Sequence, residues 1–161
     1  MPAPLGTNLK AASSSVRNLR RRFLQTLGAG KPRMDYLAEA ERMLLLAESW
    51  LLNLSTLEDK TLVHSELGNV YTYMGRPQAA LDHFQKALRF DEEGGKFHDA
   101  ADLRFNIAVM LGDAGEFDAA IRYAEAALAG YEQLKLGDSF QAQQTGLLLV
   151  FLRAGIRPGA R

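Results

Sequence analysis

The amino-acid sequence predicts an all-α fold, a solenoid of antiparallel helix pairs with about three repeats and an incomplete last one. Ala40, Ala80 and Ala120 recur every forty residues, and self-similarity at such a period indicates stacked supersecondary units. Within each unit the apolar residues follow helical spacing, and strand-like alternation is absent from the sequence. Two further sets keep the same register: Leu44, Phe84 and Ala124, then Ala47, Ala87 and Ala127.

The helix pattern predicts six helices after the N-terminal segment, over residues 35–54, 61–74, 77–93, 99–111, 117–134 and 139–153. Asp59 and Asp99 are predicted N-caps. Pro77 suits the first turn of a helix because its φ is fixed and it has no N–H. Gly75 and Gly115 are predicted to end the helices that precede them.

The charge of the chain is unevenly distributed although the total is zero, from nineteen Lys/Arg and nineteen Asp/Glu. Residues 1–34 contain seven of the bases and no acid, so residues 35–161 carry nineteen acids against twelve bases, a net charge of −7. The chain has no cysteine, which excludes disulfides, thiolate catalysis and cysteine metal sites. The longest apolar run, residues 147–152, is too short to cross a membrane.

Three segments are predicted along the chain: a disordered leader over residues 1–13, a helical repeat domain over 14–155 and a flexible tail over 156–161. The segment from Ala11 to Leu27 is rich in Arg and Ser and free of acids. That composition is typical of a mitochondrial transit peptide, but we prefer the interpretation of an ordinary first helix whose arginines face solvent. We therefore predict a cytoplasmic protein, with a mitochondrial location as the alternative.

The repeat resembles the tetratricopeptide repeat. Its period is forty residues rather than the usual thirty-four, and in this it is similar to the repeats of G-protein-signalling modulators, kinesin light chains and many bacterial signalling proteins. The resemblance covers roughly residues 35–155 and implies that the helix pairs form a right-handed superhelical solenoid. The family's slots are filled in order by Leu67, Gly68, Tyr71, Gly75, Ala80, Phe84 and Ala87, and more loosely by Ile107, Ala108, Leu111, Gly115, Ala120, Ala124 and Ala127.

This resemblance implies a protein-interaction adaptor or scaffold that binds a peptide in a concave groove formed mainly by the first helix of each pair. Asn69 and Asn106 fall at slots where such families contact peptide backbones, since an amide both donates and accepts. Alternatively, they satisfy neighbouring helix backbones. The groove residues implied are Leu62, Ser65, Glu66, Asn69, Tyr73, Asp102, Phe105, Asn106, Val109 and Asp113.

The last predicted helix is apolar all round, whereas a terminal helix of a solenoid is expected to have one polar face. Self-association into a homo-oligomer is the most economical explanation, with a partner helix or further repeats as alternatives. The predicted interface consists of Leu147, Leu148, Val150, Phe151 and Leu152.

Catalytic and cofactor chemistry finds no support in the sequence, and we predict no enzyme, no cofactor and no metal. His64, His83 and His98 are separated by 19 and 15 residues, which matches no metal-ligand spacing. His64 occupies a large apolar slot and is predicted to pack in the core. The acidic body disfavours nucleic acid as a partner despite Arg20 to Arg22. A structural assembly module with no groove ligand is the remaining alternative.

Overall fold

The computed structural model describes residues 34–51 and 56–159, together with the single positions Ser14, Asn18 and Arg21. In the continuous stretches there are six α-helices and no strand: α1 (Met34–Leu51), α2 (Leu57–Tyr73), α3 (Pro77–Glu93), α4 (Phe97–Ala114), α5 (Phe117–Gln133) and α6 (Phe140–Arg153). The predicted all-α fold of packed helix pairs is confirmed. The right-handed superhelical arrangement of the pairs stays a prediction.

Several predictions for the N-terminal third concern residues outside this described part. The leader over residues 1–13 and the last turn of the predicted helix 35–54 lie there. In the segment from Ala11 to Leu27, where the sequence suggests either a transit peptide or an ordinary first helix, only Ser14, Asn18 and Arg21 are described, and all three are helical. The Arg21 guanidinium donates to Asn18 Oδ1 at 3.2 Å.

The chain divides into two compact units, residues 1–90 and 91–161. In the first unit, α1 packs against α2 through a buried stripe of Leu37, Ala40, Leu44 and Ala47. These residues recur every three or four positions and therefore share one face of the helix.

The approach of α2 to α3 depends on Gly68. A Cβ atom at this position would lie 2.5 Å from two ring atoms of Phe84, closer than carbon atoms pack. Phe84 is itself almost fully buried. The glycine therefore provides the space that the phenyl ring fills.

In the second unit, α5 packs against both α4 and α6, and α6 also touches α4. The core here joins Ala101, Ala127, Tyr131 and Ala142, with the half-buried Phe105, Leu128 and Leu136 packed around them. Small residues on facing helices allow close contact, and Tyr131 fills the remaining volume.

Two predicted N-caps are wrong because the helices begin earlier. Thr56 caps α2: its hydroxyl oxygen accepts the Asp59 backbone N–H at 3.2 Å, and the hydroxyl donates to Asp59 Oδ2 at 3.0 Å. Asp59 is thus the third residue of the helix, and it forms two reciprocal hydrogen bonds with the N-cap residue Thr56. Asp99 lies in the first turn of α4, where its carboxylate faces the positive end of the helix dipole. For α6, Ser139 is the N-cap, with its oxygen accepting the Ala142 N–H.

The predicted glycine stops are confirmed. Gly75 and Gly115 have φ of 70° and 86°, as left-handed helix ends require, and Gly95 and Gly155 behave in the same way. Among the described helix ends with a left-handed residue, the end of α5 differs because that residue is Lys135, with φ of 60°, and not a glycine.

None of the described helices is long and apolar enough to cross a membrane.

Candidate functional site

The predicted groove residues of the first unit all lie on α2. Leu62, Ser65 and Asn69 are half-buried and Tyr73 is exposed. Glu66 is the exception, because only 6% of it is exposed, which leaves it unsuited to contact a peptide. The Asn69 amide nitrogen lies 3.5 Å from Glu66 Oε2, at the long limit of a hydrogen bond. Asn69 thus contacts a side chain of its own helix rather than a neighbouring backbone.

In the second unit the predicted groove residues lie on α4, and they differ in how accessible they are. Asn106 is exposed, and Phe105 and Val109 are half-buried. Phe105 packs partly against the core formed by α4, α5 and α6. The accessible part of this surface is therefore Asn106 with the outer edges of its two apolar neighbours.

Asp102 has an internal role that the sequence did not reveal. Its Oδ1 accepts a hydrogen bond of 2.6 Å from the Tyr131 hydroxyl, and its Oδ2 lies 3.4 Å from His98 Nδ1. Burial and the Asp102 carboxylate both raise the pKa of Tyr131. The carboxylate therefore links α4 to α5, and its assignment to the groove is weakened.

Asp113 is also used within the fold. Its Oδ1 accepts the Gly159 backbone N–H at 2.6 Å. Pro158 packs against Gly112, where a Cβ would lie 3.0 Å from the proline Cδ. Residues 156–159, which the sequence predicts as part of a flexible tail, thus lie against the end of α4.

The apolar run of α6 divides into an inner and an outer set. Leu148 and Leu152 are 5% and 1% exposed, so they belong to the core and not to a free interface. Leu152 packs against Gly112, where a Cβ would lie 2.6 Å from the leucine Cδ2. Leu147, Val150 and Phe151 are exposed and remain candidates for self-association.

His64 and His83 lie side by side in the first unit, with their Nδ1 atoms 3.0 Å apart. His64 is buried, as predicted for its apolar slot. Burial lowers the pKa of His64 to about 4, although the Glu48 carboxylate opposes this shift. Burial lowers the pKa of His83 as well. Both imidazoles are therefore neutral at pH 7, and one Nδ1–H donates to the other Nδ1.

Two aromatic rings and two charged groups surround this histidine pair. Phe90 stacks on His64 and Tyr71 on His83, with ring centroids 5.7 and 5.4 Å apart. The Glu48 Oε1 atom lies 3.7 Å from His64 Nδ1 and 3.6 Å from Lys86 Nζ. A weak signal of this cluster exists in the sequence, because Glu48 occupies the forty-residue slot that Leu88 and Leu128 fill in later copies.

The fold and these surfaces define a class of helical-repeat protein. Residues 59–133 match the family model described as tetratricopeptide repeat. The resemblance predicted from the sequence is confirmed over this segment, which runs from α2 to the end of α5. Repeats of this family generally mediate protein–protein interaction or scaffolding, and the family is typically non-enzymatic.

Among solved structures, the chain is similar to the one titled "Crystal structure of BtubC (BKLC) from P. vanneervenii". The two sequences are 18% identical, the match covers 99% of this chain and 77% of that chain, and the TM-score is 0.48. No curated protein matches this sequence.

Proposed function

We propose that the protein is an interaction adaptor with two candidate peptide-binding surfaces, one on α2 in the first unit and one on α4 in the second. The observation that supports this most directly is Asn106, an exposed amide on α4 between the half-buried Phe105 and Val109. Such an arrangement offers a donor and an acceptor to a peptide backbone, with apolar contacts on either side.

The equivalent surface of α2 offers a similar combination. Asn69 is half-buried between Ser65 and the exposed Tyr73, and its single long contact with Glu66 is weak enough for a peptide amide to replace it. Affinity on both surfaces comes mainly from apolar contacts, and the asparagines set the direction and register of the bound backbone.

The test is a binding comparison with peptides selected by the wild-type chain from a random display library. Asn69→Ala and Asn106→Ala are each expected to weaken binding by about tenfold, the cost of a lost amide pair near 1.4 kcal/mol. Gln78→Ala is the matched control, since it removes an exposed amide from α3. If replacing both asparagines together leaves the affinity unchanged, a structural assembly module with no groove ligand is the better explanation.

Self-association through α6 is a second candidate, favoured by three apolar side chains that face solvent. Leu147, Val150 and Phe151 are 49%, 64% and 40% exposed, and a second copy of the chain is the occupant that we propose for them. Light scattering of Leu147→Glu is expected to give the monomer mass, while Gln144→Glu on the same helix leaves the oligomer intact. An identical mass for wild type and Leu147→Glu removes this surface from the interface.

For location, we propose the cytoplasm, with the mitochondrion as the alternative that the basic N-terminal segment suggests. Intact-mass measurement of the native protein separates the two. Loss of an N-terminal segment rich in arginine supports import, and an intact N-terminus supports the cytoplasm.

A further inference from the structure

Three consecutive helices of the first unit each contribute one potential metal ligand to a common point. Glu48 comes from α1, His64 from α2 and His83 from α3. One ligand atom from each residue lies within 4.8 Å of the other two. The histidines are 19 residues apart in the sequence, so only the packing of the helices brings this set together.

The spacing of the donor atoms is close to that of a metal-bound set. Two nitrogen ligands at 2.0–2.1 Å from a tetrahedral Zn²⁺ are about 3.3 Å from each other. The two Nδ1 atoms are 3.0 Å apart, and His64 Nδ1 is 3.7 Å from Glu48 Oε1. These two distances fall on either side of the ideal value, and the donor atoms of His83 and Glu48 lie within 4.8 Å of each other. Side-chain rotation is therefore needed to place all three atoms around one ion.

The protonation state of the site also suits a metal. A metal-bound imidazole must offer a free lone pair, and burial lowers the pKa of both His64 and His83, so that neither is charged at pH 7. Without an ion, one Nδ1–H donates to the other Nδ1. With an ion, that hydrogen resides on Nε2 of the same ring, and both Nδ1 lone pairs point to the metal. No proton is released in this exchange.

One group competes with an ion for Glu48. The Lys86 ammonium lies 3.6 Å from Glu48 Oε1. Its positive charge, like that of Arg89, lowers the pKa of His64. The Lys86 side chain is 42% exposed, so it can turn into solvent when an ion arrives. The ammonium therefore lowers the affinity of the site without blocking it.

We propose that Glu48, His64 and His83 form a binding site for a divalent transition-metal ion of the Zn²⁺ class, with one coordination position left for water. Two imidazoles and a carboxylate suit Zn²⁺ and its neighbours, whereas Mg²⁺ prefers oxygen ligands alone. A bound ion connects α1 to α2 and α3. None of these three ligands is among the residues proposed to bind a peptide on α2 and α4.

The test is calorimetric titration of the complete untagged chain with Zn²⁺, supported by the visible spectrum of bound Co²⁺. One ion per chain is expected, with no response to Mg²⁺. Zn²⁺ at about 100 times its dissociation constant is expected to raise the thermal unfolding midpoint by about 5–10 °C.

Matched variants locate the ion. His64→Gln, His83→Gln and Glu48→Gln are each expected to weaken Zn²⁺ binding by more than about tenfold. His98→Gln, which removes the exposed histidine of the second unit, leaves binding unchanged. Lys86→Gln tightens binding, because it removes the competing ammonium, and a purely structural histidine pair does not predict this gain.

Several results would overturn the proposal. These are the absence of Zn²⁺ binding, equal affinity in wild type and His83→Gln, or an equal loss of affinity in His98→Gln. Circular dichroism establishes that each variant is folded. If the buried His64→Gln variant does not fold, the half-buried His83 and the partly exposed Lys86 decide the question.

Discussion

Individual residues in this protein combine packing with hydrogen bonding, and Tyr131 is the clearest example. It is 1% exposed and is therefore one of the largest fully buried side chains among the described residues. Its hydroxyl nevertheless has a charged acceptor in Asp102, which satisfies the general requirement that a buried polar group be hydrogen-bonded.

Removing that hydroxyl is expected to destabilise the fold. Tyr131→Phe retains the ring but leaves the Asp102 Oδ1 without its donor, and we expect a loss of about 1.5–3 kcal/mol in the free energy of unfolding. Urea denaturation measures the change. Asp102→Asn, which keeps an oxygen acceptor, is the conservative comparison and is expected to cost less. A neutral Tyr131→Phe contradicts the assignment.

The same pair predicts a dependence of stability on alkaline pH. The pKa of Tyr131 is raised in the folded state by burial and by Asp102, and burial with Glu41 raises that of Tyr71 to about 12. The unfolded chain ionises first, near pH 10, so stability is complete below pH 10 and falls above it. Urea midpoints between pH 8 and 11 measure the fall, and Tyr131→Phe is expected to show less of it.

Helix pairs are governed by volume and by the geometry of their ends. Gly68 and Phe84 illustrate the volume rule in the first pair. The corresponding slots of the next copy contain Ala108 and Ala124, both fully buried. In the first copy the smallest residue faces a large aromatic ring. In the second copy two alanines of equal size occupy the same two positions.

A double-mutant cycle tests this complementarity. Gly68→Ala is expected to cost about 1–3 kcal/mol through overpacking, and Phe84→Ala about 3–5 kcal/mol through a cavity. The double variant is expected to cost at least about 1 kcal/mol less than the sum, because each change relieves the other. Gly146→Ala is the control, since its Cβ meets no atom within 4 Å. Strict additivity would show that the two sites do not touch.

Substitutions at two helix ends are expected to change the stability of the protein in opposite directions. Lys135 has the left-handed φ of 60° that glycine adopts at four other turns, so Lys135→Gly is expected to stabilise the protein by about 0.5–1 kcal/mol. Gly75→Ala is expected to destabilise it by about 1 kcal/mol through backbone strain alone, because no atom lies within 4 Å of its Cβ. Thermal unfolding measures both, and changes of the same sign contradict the argument.

At the scale of the whole molecule, α6 contributes several side chains to the core of the second unit. It buries Ala142, Thr145, Leu148, Leu149 and Leu152, and Ala142 joins the core around Tyr131. The helix therefore covers apolar surface of the second unit that would otherwise face solvent.

Two truncations distinguish the contribution of α6 to stability from that of the segment that follows it. Ending the chain at residue 139 exposes the core and is expected to abolish cooperative unfolding. Ending it at residue 155 removes the Gly159 contact with Asp113 and is expected to cost about 1 kcal/mol. Circular dichroism during thermal unfolding compares the two, and a cooperative transition in the shorter chain would show that the core of the second unit does not depend on α6.

The helical repeat is predictable from the amino-acid sequence alone. The helical spacing of apolar residues and the glycines at Gly75 and Gly115 are local signals that act within a few residues. The forty-residue period is a repetition of residue types along the chain, which does not depend on tertiary contacts. The predicted N-caps Asp59 and Asp99 are wrong because Thr56 caps α2, which therefore begins at Leu57, and because an acid in the first turn stabilises a helix without capping it.

Only the tertiary structure decided which side chains meet. Leu148 and Leu147 are neighbours in one apolar run, yet one is buried and the other exposed, because the direction of α6 against α5 selects the inner face. The approach of His83 to His64 and Glu48 depends on how three helices pack. Distances of this kind arise from contacts between residues far apart in the chain, which the local spacing of residues does not encode.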